Sequence, residues 1–517
     1  MEKEINRTMA DRLDTTACDR EPIHVSGSIQ PHGVLMSLDP SNLSVLQVSC
    51  NTREMLGLEP ESILGKKLDE FLNAGDAHAL SQHIEGISRE FGTAYLRSLR
   101  SPVSDLFFCA SAHRYDTALI LELELADPPE SFSFNHVYPL VIRMPELLTG
   151  APTLEKTTEI AAAELRRLTN FERVLVIKFA PDWSGYVVAE SKLDDISSFL
   201  DLWFPATDIP APARRLYEIN RIRIISDAAV PAVPIRPSEN PLTGRPLDLS
   251  LSILRSVSPI HIEYMKNMGV ASSLSMPLLQ SNGRLWGIIS CHHRKPCRTS
   301  LDVRTACEIM ARMLASQIEK VEISELRASI ERAVILRSLS KRLIGFMSQE
   351  QDFIDGLTSY PEELFDFVQA AGASIVYGGR CARLGDCPSE ADIRKIVQWL
   401  DEHGENETFA TDRAPELIDR SEGIISHASG ILSIGLSKTG SAYVLWFRPE
   451  LVKTVKWGGD PRKTEARNGT SAVLHPRKSF EVWQETIKGR SKSWTDGELE
   501  AAMLLRDSIL GSALPIS

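Results

Sequence analysis

"LRSVSPIHIEYMKNMG" (Leu254–Gly269) is the stretch from which the rest of the chain can be ordered. It places Arg255, Ser258, His261 and Tyr264 close together. In a helical reading Ser258, His261 and Tyr264 follow one another at a spacing of three and share roughly one face. By itself this is as often a polar helix edge as a ligand site. A second stretch upstream, "WFPATDIPAPARRLY" (203–217), sets prolines 205, 210 and 212 around Asp208. Those prolines restrict the backbone and could hold the Asp208 carbonyl and carboxylate in fixed directions; the plainer alternative is a helix stop beside a solvated aspartate. Both stretches fall in one segment, about 140–320, and together they point to a pocket more strongly than either alone.

The chain of 517 residues has room for about three domains. With 43% hydrophobic and 24% charged residues its composition is that of a globular protein. A net charge of −12 argues against a general nucleic-acid coat. No apolar run approaches the ~18 residues of a membrane span, and the start, MEKEINR, lacks a signal-peptide core. These features predict a cytoplasmic protein that binds neither nucleic acid nor membrane. The eight cysteines (18, 50, 109, 291, 297, 307, 381 and 387) are scattered and read as reduced thiols.

Outward from the pocket segment, residues 34–126 read as a small α+β domain. Val34–Leu38 and Leu43–Ser49 form a hairpin, Arg53–Leu58 and Ser62–Phe71 are helical, and 126–134 is a linker. In Leu119–Leu125, Leu121, Leu123 and Leu125 alternate with Glu122 and Glu124, the period of a half-buried strand. The pocket domain holds a helix near Leu154–Leu168, strands Arg173–Phe179, Tyr186–Glu190, Ser272–Leu279 and Leu285–His292, and a long irregular stretch, 204–250. From Cys297 to Ile344 there is no glycine or proline, which predicts a connecting helix and a dimer seam. If continuous, it is about 68 Å long.

A third domain, about 345–517, repeats the second in outline. Strands Ser374–Tyr377 and Cys381–Leu384 flank Gly378-Gly379. Strands recur at Gly430–Leu436 and Ala442–Phe447, and Ser389 and Thr495 cap helices. Between them lies an excursion, 448–494, with 11 Lys and Arg against 5 Asp and Glu, so +6 in a chain of −12.

Catalytic and metal chemistry find little support. In "CHHRKPC" (291–297), His292 and His293 of one strand point to opposite faces and cannot share an ion. No nucleophile elbow, phosphate loop, zinc-hydrolase helix or EF-hand loop is present. A pocket without a catalytic apparatus points to sensing rather than to an enzyme.

In their order and spacing, "CDREPIHVSGSIQPHG" (18–33), "FPATDIP" (204–210), "LRSVSPIHIEYMKNMG", "WGIISCHH" (286–293), "WGG" (457–459) and "PRKSF" (476–480) resemble the bacterial phytochromes over nearly the whole chain. The resemblance implies an α+β fold of three consecutive domains. Residues 1–33 would be an N-terminal segment, 34–130 a PAS domain, 138–322 a bilin-binding GAF domain, and 323–517 a GAF-like PHY domain. A long helix would join the last two, and a hairpin tongue, about 448–494, would reach back over the bilin. Ile29 would lie where the N-terminal segment threads a GAF loop in a figure-of-eight knot.

The resemblance further implies a covalent biliverdin IXα, bound by Cys18 as a thioether. The alternative attachment cysteine of plant and many cyanobacterial members would stand at Ile260. The Asp208 carbonyl and a water held with His261 would accept from the pyrrole N–H groups. Arg223 and Arg255 would pair with the propionates, and Tyr217, Ser258, Ser273 and Ser275 would add hydrogen bonds. His292 would face the D-ring carbonyl, with Phe204, Tyr264 and Met268 packed around rings that must turn. Light would isomerise the C15=C16 bond. In the dark red-absorbing form Arg477 would pair with the Asp208 carboxylate, and breaking that pair would let the tongue refold. One departure stands beside the D ring: Ile177 replaces the family's usual tyrosine, which implies altered photochemistry. The partners implied are a second copy along the long helices and an output domain or response regulator, with no kinase domain in this chain; truncation is the favoured reading of that ending. Two rivals are a GAF protein sensing a small metabolite and an enzyme handling bilins.

Overall fold

The computed structural model describes residues 21–85, 94–101, 105–115, 118–126, 137–347, 353–405, 407–437, 442–461, 467–468, 471–472 and 479–512. Cys18, Arg477 and most of the expected linker lie outside the described residues. The chain forms two compact units, residues 1–321 with 456–483, and residues 322–455 with 484–517.

The first unit contains two large antiparallel-rich sheets and a two-stranded pair, Arg467–Asn468 with Ser471–Ala472. The smaller domain's sheet runs in the order Ser28–Ile29, Val233–Arg236, Val45–Ser49, Gly33–Leu38, Ala118–Ala126, Phe107–Tyr115, Ala94–Arg100. The expected hairpin is present, with Met36 opposite Val48. The helix expected over Ser62–Phe71 is instead a short helix, Pro60–Ile63, and a 3-10 turn, Leu68–Glu70. Between them the chain turns at Gly65, whose N–H bonds the Val45 carbonyl at 2.8 Å and ties this segment to the sheet.

Strand Ala118–Ala126 corrects the half-buried reading. Leu119, Leu121 and Leu123 do face the core of their own domain. Yet Glu122 and Glu124 on the opposite face are only 1% and 8% exposed. That face is covered by the pocket domain: Ile120 packs with Leu247, Leu249 and Leu254, and Glu124 pairs with Arg304. Alternation read one face as solvent because it cannot register a second domain lying on it.

The pocket domain contributes six strands of an eight-stranded sheet, in the order Arg223–Ile225, Ser272–Leu279, Leu285–His293, Arg173–Phe179, Gly185–Lys192, Leu202–Phe204. Its core lies between this sheet and the helices Leu154–Thr169 and Leu301–Met347, around Leu165, Val176, Met276, Ile289, Met310 and Leu314. The stretch 204–250 is less irregular than expected, holding helix Ala211–Ile219 and strands Arg223–Ile225 and Val233–Arg236. Residues 28–30 are gripped from two sides. Ser28 and Ile29 pair with Pro234 and Val233, Ile29 bridges Arg255, and the Gln30 side chain donates to the Ile224 carbonyl at 2.9 Å.

The expected long helix is continuous over Leu301–Met347, 47 residues. No helix among the described residues is long and apolar enough to cross a membrane. In the second unit a five-stranded sheet runs Arg380–Gly385, Gly372–Tyr377, Tyr443–Arg448, Gly430–Gly435, Thr408–Thr411. Both expected caps form: Ser389 Oγ accepts from Asp392 N, and Thr495 and Glu498 bond reciprocally.

Candidate functional site

Helix Pro259–Met268 begins on a proline, whose missing N–H is one the first turn leaves unpaired anyway. It stops at Gly269, where φ is +74° and the N–H returns to the Lys266 carbonyl at 3.0 Å. Between these ends His261 and Tyr264 stack, ring centroids 5.9 Å apart. Opposite them, Asp208 closes a 3-10 turn, Ala206–Asp208, flanked by Pro205 and Pro210 at φ −66° and −63°. The prolines thus fix both ends of the turn, and the Tyr264 hydroxyl donates to Asp208 Oδ2 at 3.1 Å.

These elements wall a cavity with two lobes. Asp208, Tyr217, His261, Tyr264, Ser273 and Ser275 line both. The larger lobe, ≈ 1240 Å³ between its walls with the mouth included, adds Arg223, Arg255 and Ser258. The smaller, ≈ 670 Å³ on the same measure, adds Ile177, Phe204, Met268 and His292. Every expected pocket residue among those described therefore reaches one cavity, while His293 turns away to the Lys295 carbonyl and the Phe171 ring.

The charge distribution is one-sided. Burial lowers the pKa of Arg223 to about 9, with Arg255 nearby adding to the effect, and burial lowers Arg255 to about 10. Both still carry charge at neutral pH. Neither makes a salt bridge among the described residues, and Arg255 Nη1 has no hydrogen-bond partner there. Two buried cations facing one cavity form a site for an anion, and guanidinium geometry favours carboxylate. His261 keeps ring surface toward the cavity yet sits deep in the protein. Burial, with a contribution from Arg223, lowers its pKa to about 4. Burial first, then Arg173 and His261, lower His292 to about 3. Both rings are neutral at pH 7 and can accept a hydrogen bond. The Nδ1 of His292 and the Oγ1 of Thr207 are buried without a partner among the described residues, and buried polar atoms require one. A linear tetrapyrrole with two carboxylates and an edge of N–H and C=O groups fits this set of donors, acceptors and apolar walls.

Several lining residues went unread in the sequence. Glu21 accepts from the Ser258 hydroxyl at 3.0 Å. Ser290 Oγ lies 2.9 Å from His292 Nε2, and its position two residues before His292 on one strand was the available signal. Segment 456–483 reaches the same walls. Lys456 and Trp457 pair in parallel with Leu202 and Trp203, and Phe480 meets Tyr264 edge-on at 5.0 Å.

Comparisons with known proteins place this geometry. Three family models match in succession: a PAS fold over residues 18–126, a GAF domain over 153–321 and a phytochrome region over 336–515. The chain is 39% identical over 508 residues to cyanobacterial phytochrome B of Nostoc sp., covering 98% of this chain and 67% of that protein. It is 32% identical over 512 residues to a bacteriophytochrome of Xanthomonas campestris, covering 96% and 79%. It thus spans about two thirds of the cyanobacterial relative. Among solved structures, a bacteriophytochrome from the photosynthetic bacterium R. palustris superposes with a TM-score of 0.77 at 38% identity, covering 96% of this chain and 100% of that one. The phytochrome photosensory core module of Stigmatella aurantiaca gives 0.74 at 37%, covering 96% and 98%. Shared sequence along the whole length, the same three regions in the same order and a common fold have one consequence: this chain belongs to the phytochromes, as a PAS–GAF–PHY photosensory core of the bacterial kind.

Proposed function

We propose that the chain is a red/far-red light sensor that binds biliverdin in the two-lobed cavity and relays its state through the 448–494 excursion and the long helices. The observation that carries this reading is the pair of buried guanidiniums, Arg223 and Arg255, set opposite the neutral acceptors His261 and His292 in one cavity. Domain limits of 34–130, 138–322 and 323–517 accord with the family regions. A threaded, knotted N-terminal segment accords with the double grip on residues 28–30.

Bound there, the bilin supplies the absorption of light and an isomerisable terminal double bond. The chain's own residues do the rest. Arg223 and Arg255 hold the propionate carboxylates, and Ser258, Tyr217, Ser273 and Ser275 complete their hydrogen bonds. The Asp208 carbonyl and His261 accept from pyrrole N–H groups. His292 would hold the terminal-ring carbonyl, within walls made by Ile177, Phe204, Tyr264 and Met268. Cys18 would be the residue that anchors the pigment, through a thioether to its ring-A side chain. Ile260, which lines the larger lobe, has no atom able to do this. Arg477 pairs with the Asp208 carboxylate in one state and releases it in the other. Exposed Ile323, Leu326, Val334 and Ile335 on the long helix support a homodimer along it; an output domain or response regulator receives the signal.

The test is direct. Apoprotein mixed with biliverdin should show spectra that shift reversibly under alternating red and far-red light, and the pigment should survive denaturation in the wild type but not in Cys18→Ser. A wild type that gains no pigment, or one that does not photoconvert, would reject the reading.

A further inference from the structure

Arg255 owes its direction to a loop that cannot hold itself. Ser252, Ile253 and Leu254 are buried at 0%, 4% and 0% exposure, so their backbone groups need partners inside the protein. On one side the N-terminal segment supplies them. Gln30 N donates to the Leu254 carbonyl at 2.7 Å, Ser256 N to Ser28 O at 3.1 Å, and Arg223 Nη2 to the Ser256 carbonyl at 3.0 Å. The N–H groups of Ile253 and Leu254 find no backbone carbonyl among the described residues. Both bond instead to Glu122, on a strand of the other domain: Ile253 N to Oε2 at 3.2 Å and Leu254 N to Oε1 at 2.8 Å. Two consecutive N–H groups aimed together form an anion cradle. A carboxylate satisfies both; an amide offers one acceptor and sets a donor against the other.

We propose that Glu122 is a positioning residue for the chromophore pocket: from the PAS sheet it clamps the backbone of Ile253 and Leu254 and so aims the Arg255 guanidinium at the bound anion. The proposal rests on the bilin reading for the identity of that anion, but the clamp itself stands on distances alone. It makes the PAS domain part of the binding site without lining it.

The clamp requires ionised Glu122. Burial raises this carboxyl to about 7, against the two N–H bonds that lower it. The charged and titratable groups facing it are His113, its Nδ1 3.9 Å away on the neighbouring strand, Glu124 on its own strand, Arg304 from the long helix, and Arg223 and Arg255 across the loop. Glu124 is itself held by Arg304 and His32. Protonation turns one oxygen into a donor facing an N–H and opens half the clamp.

The experiment has two arms. Residue-resolved hydrogen exchange on the apoprotein, corrected for intrinsic rates, should show protection at Ile253 and Leu254 about tenfold higher at pH 8.5 than at pH 5.5. In Glu122→Gln it should be low and flat across that range. Biliverdin association should slow about tenfold in Glu122→Gln, and the double variant with Arg255→Ala should be no slower than Arg255→Ala alone. Unchanged protection in Glu122→Gln overturns the clamp, and wild-type protection independent of pH overturns its opening by protonation; the pH arm needs no variant to fold. Lost protection with unchanged association, or additive effects with Arg255→Ala, overturns the aiming role. A wild type that takes up no biliverdin sinks the bilin reading instead, and the exchange arm still decides the clamp.

Discussion

Ile177, an apolar side chain with no hydroxyl to offer, lines the smaller lobe of the cavity. It sits on strand Arg173–Phe179, 7% exposed, and packs with Leu175, Phe204 and Ile288 in the apolar cluster behind the smaller lobe. A larger side chain there has one way to go, into the lobe beside His292. Ile177→Tyr is therefore expected to destabilise the apoprotein by at most about 1–3 kcal/mol, the ordinary cost of overpacking. In the pigment-loaded protein the added ring would crowd and direct the turning group, so photoconversion yield should rise and fluorescence fall. Fluorescence yield and photoconversion quantum yield, measured side by side, check this; identical values in both proteins would contradict it. The residues of this site were readable where a local rule ordered them. Ser258, His261 and Tyr264 follow helical spacing, and the prolines announce the turn at Asp208. Glu21 was not readable, because its partner Ser258 is 237 residues away; Ser290 went unread although its place two residues before His292 on one strand sets both on one face.

At the scale of elements, the pairing of Trp457 with Trp203 brings Gly458 against the pocket wall. A Cβ on Gly458 would stand 2.8 and 2.9 Å from two ring atoms of Phe204, and Phe204 is only 5% exposed. Backbone thus rests on an aromatic ring that lines the cavity from the other side, and only glycine permits that approach. Gly458→Ala should push strand and ring apart, weaken exchange protection at Lys456 and Trp457, and shift the absorption of the bound pigment. Phe204→Ala makes room for the new methyl group, so in the double variant Gly458→Ala should cost nothing further. Additive losses would show that the contact is not the reason. Elements of this kind also mark the limits of pattern reading. Strands Arg173–Phe179 and Ser272–Leu279 came out with the expected bounds, because both faces are buried and each run is rich in apolar residues. The Glu122 and Glu124 face was misread because a buried carboxylate with distant partners has the same period as a solvated one.

At the scale of the molecule, the glycine-free run 297–344 announced a connecting helix. The two cores on either side were legible as repeated strand–turn–strand patterns. What stayed hidden was how tightly the first unit closes over polar groups, and that closure has a measurable sign. His113, fully buried, has a pKa lowered by burial to about 4, and His261 and His292 are lowered to about 4 and 3. Each binds its proton more readily unfolded, so each contributes stability that is present above ~6.5 and lost as pH falls toward the folded values. For His113 the full shift corresponds to roughly 3 kcal/mol. Glu124 adds to the loss further down: burial raises its carboxyl, but Arg304 and His32 together outweigh that and hold its pKa at about 2. Glu122 opposes it: a carboxyl raised to about 7 stabilises the fold as pH falls from 7 toward 4.5. Three histidines against one carboxyl leave a net loss. The denaturant midpoint of the apoprotein should therefore fall between pH 7.5 and pH 5, with the loss concentrated in the first unit, which carries all four groups. Glu122→Gln removes the only one of the four whose titration runs the other way, so its midpoint should fall more steeply than that of the wild type over the same range. A fall of equal slope in Glu122→Gln would mean that Glu122 is ionised throughout that range, its two backbone N–H bonds outweighing the burial that raises it.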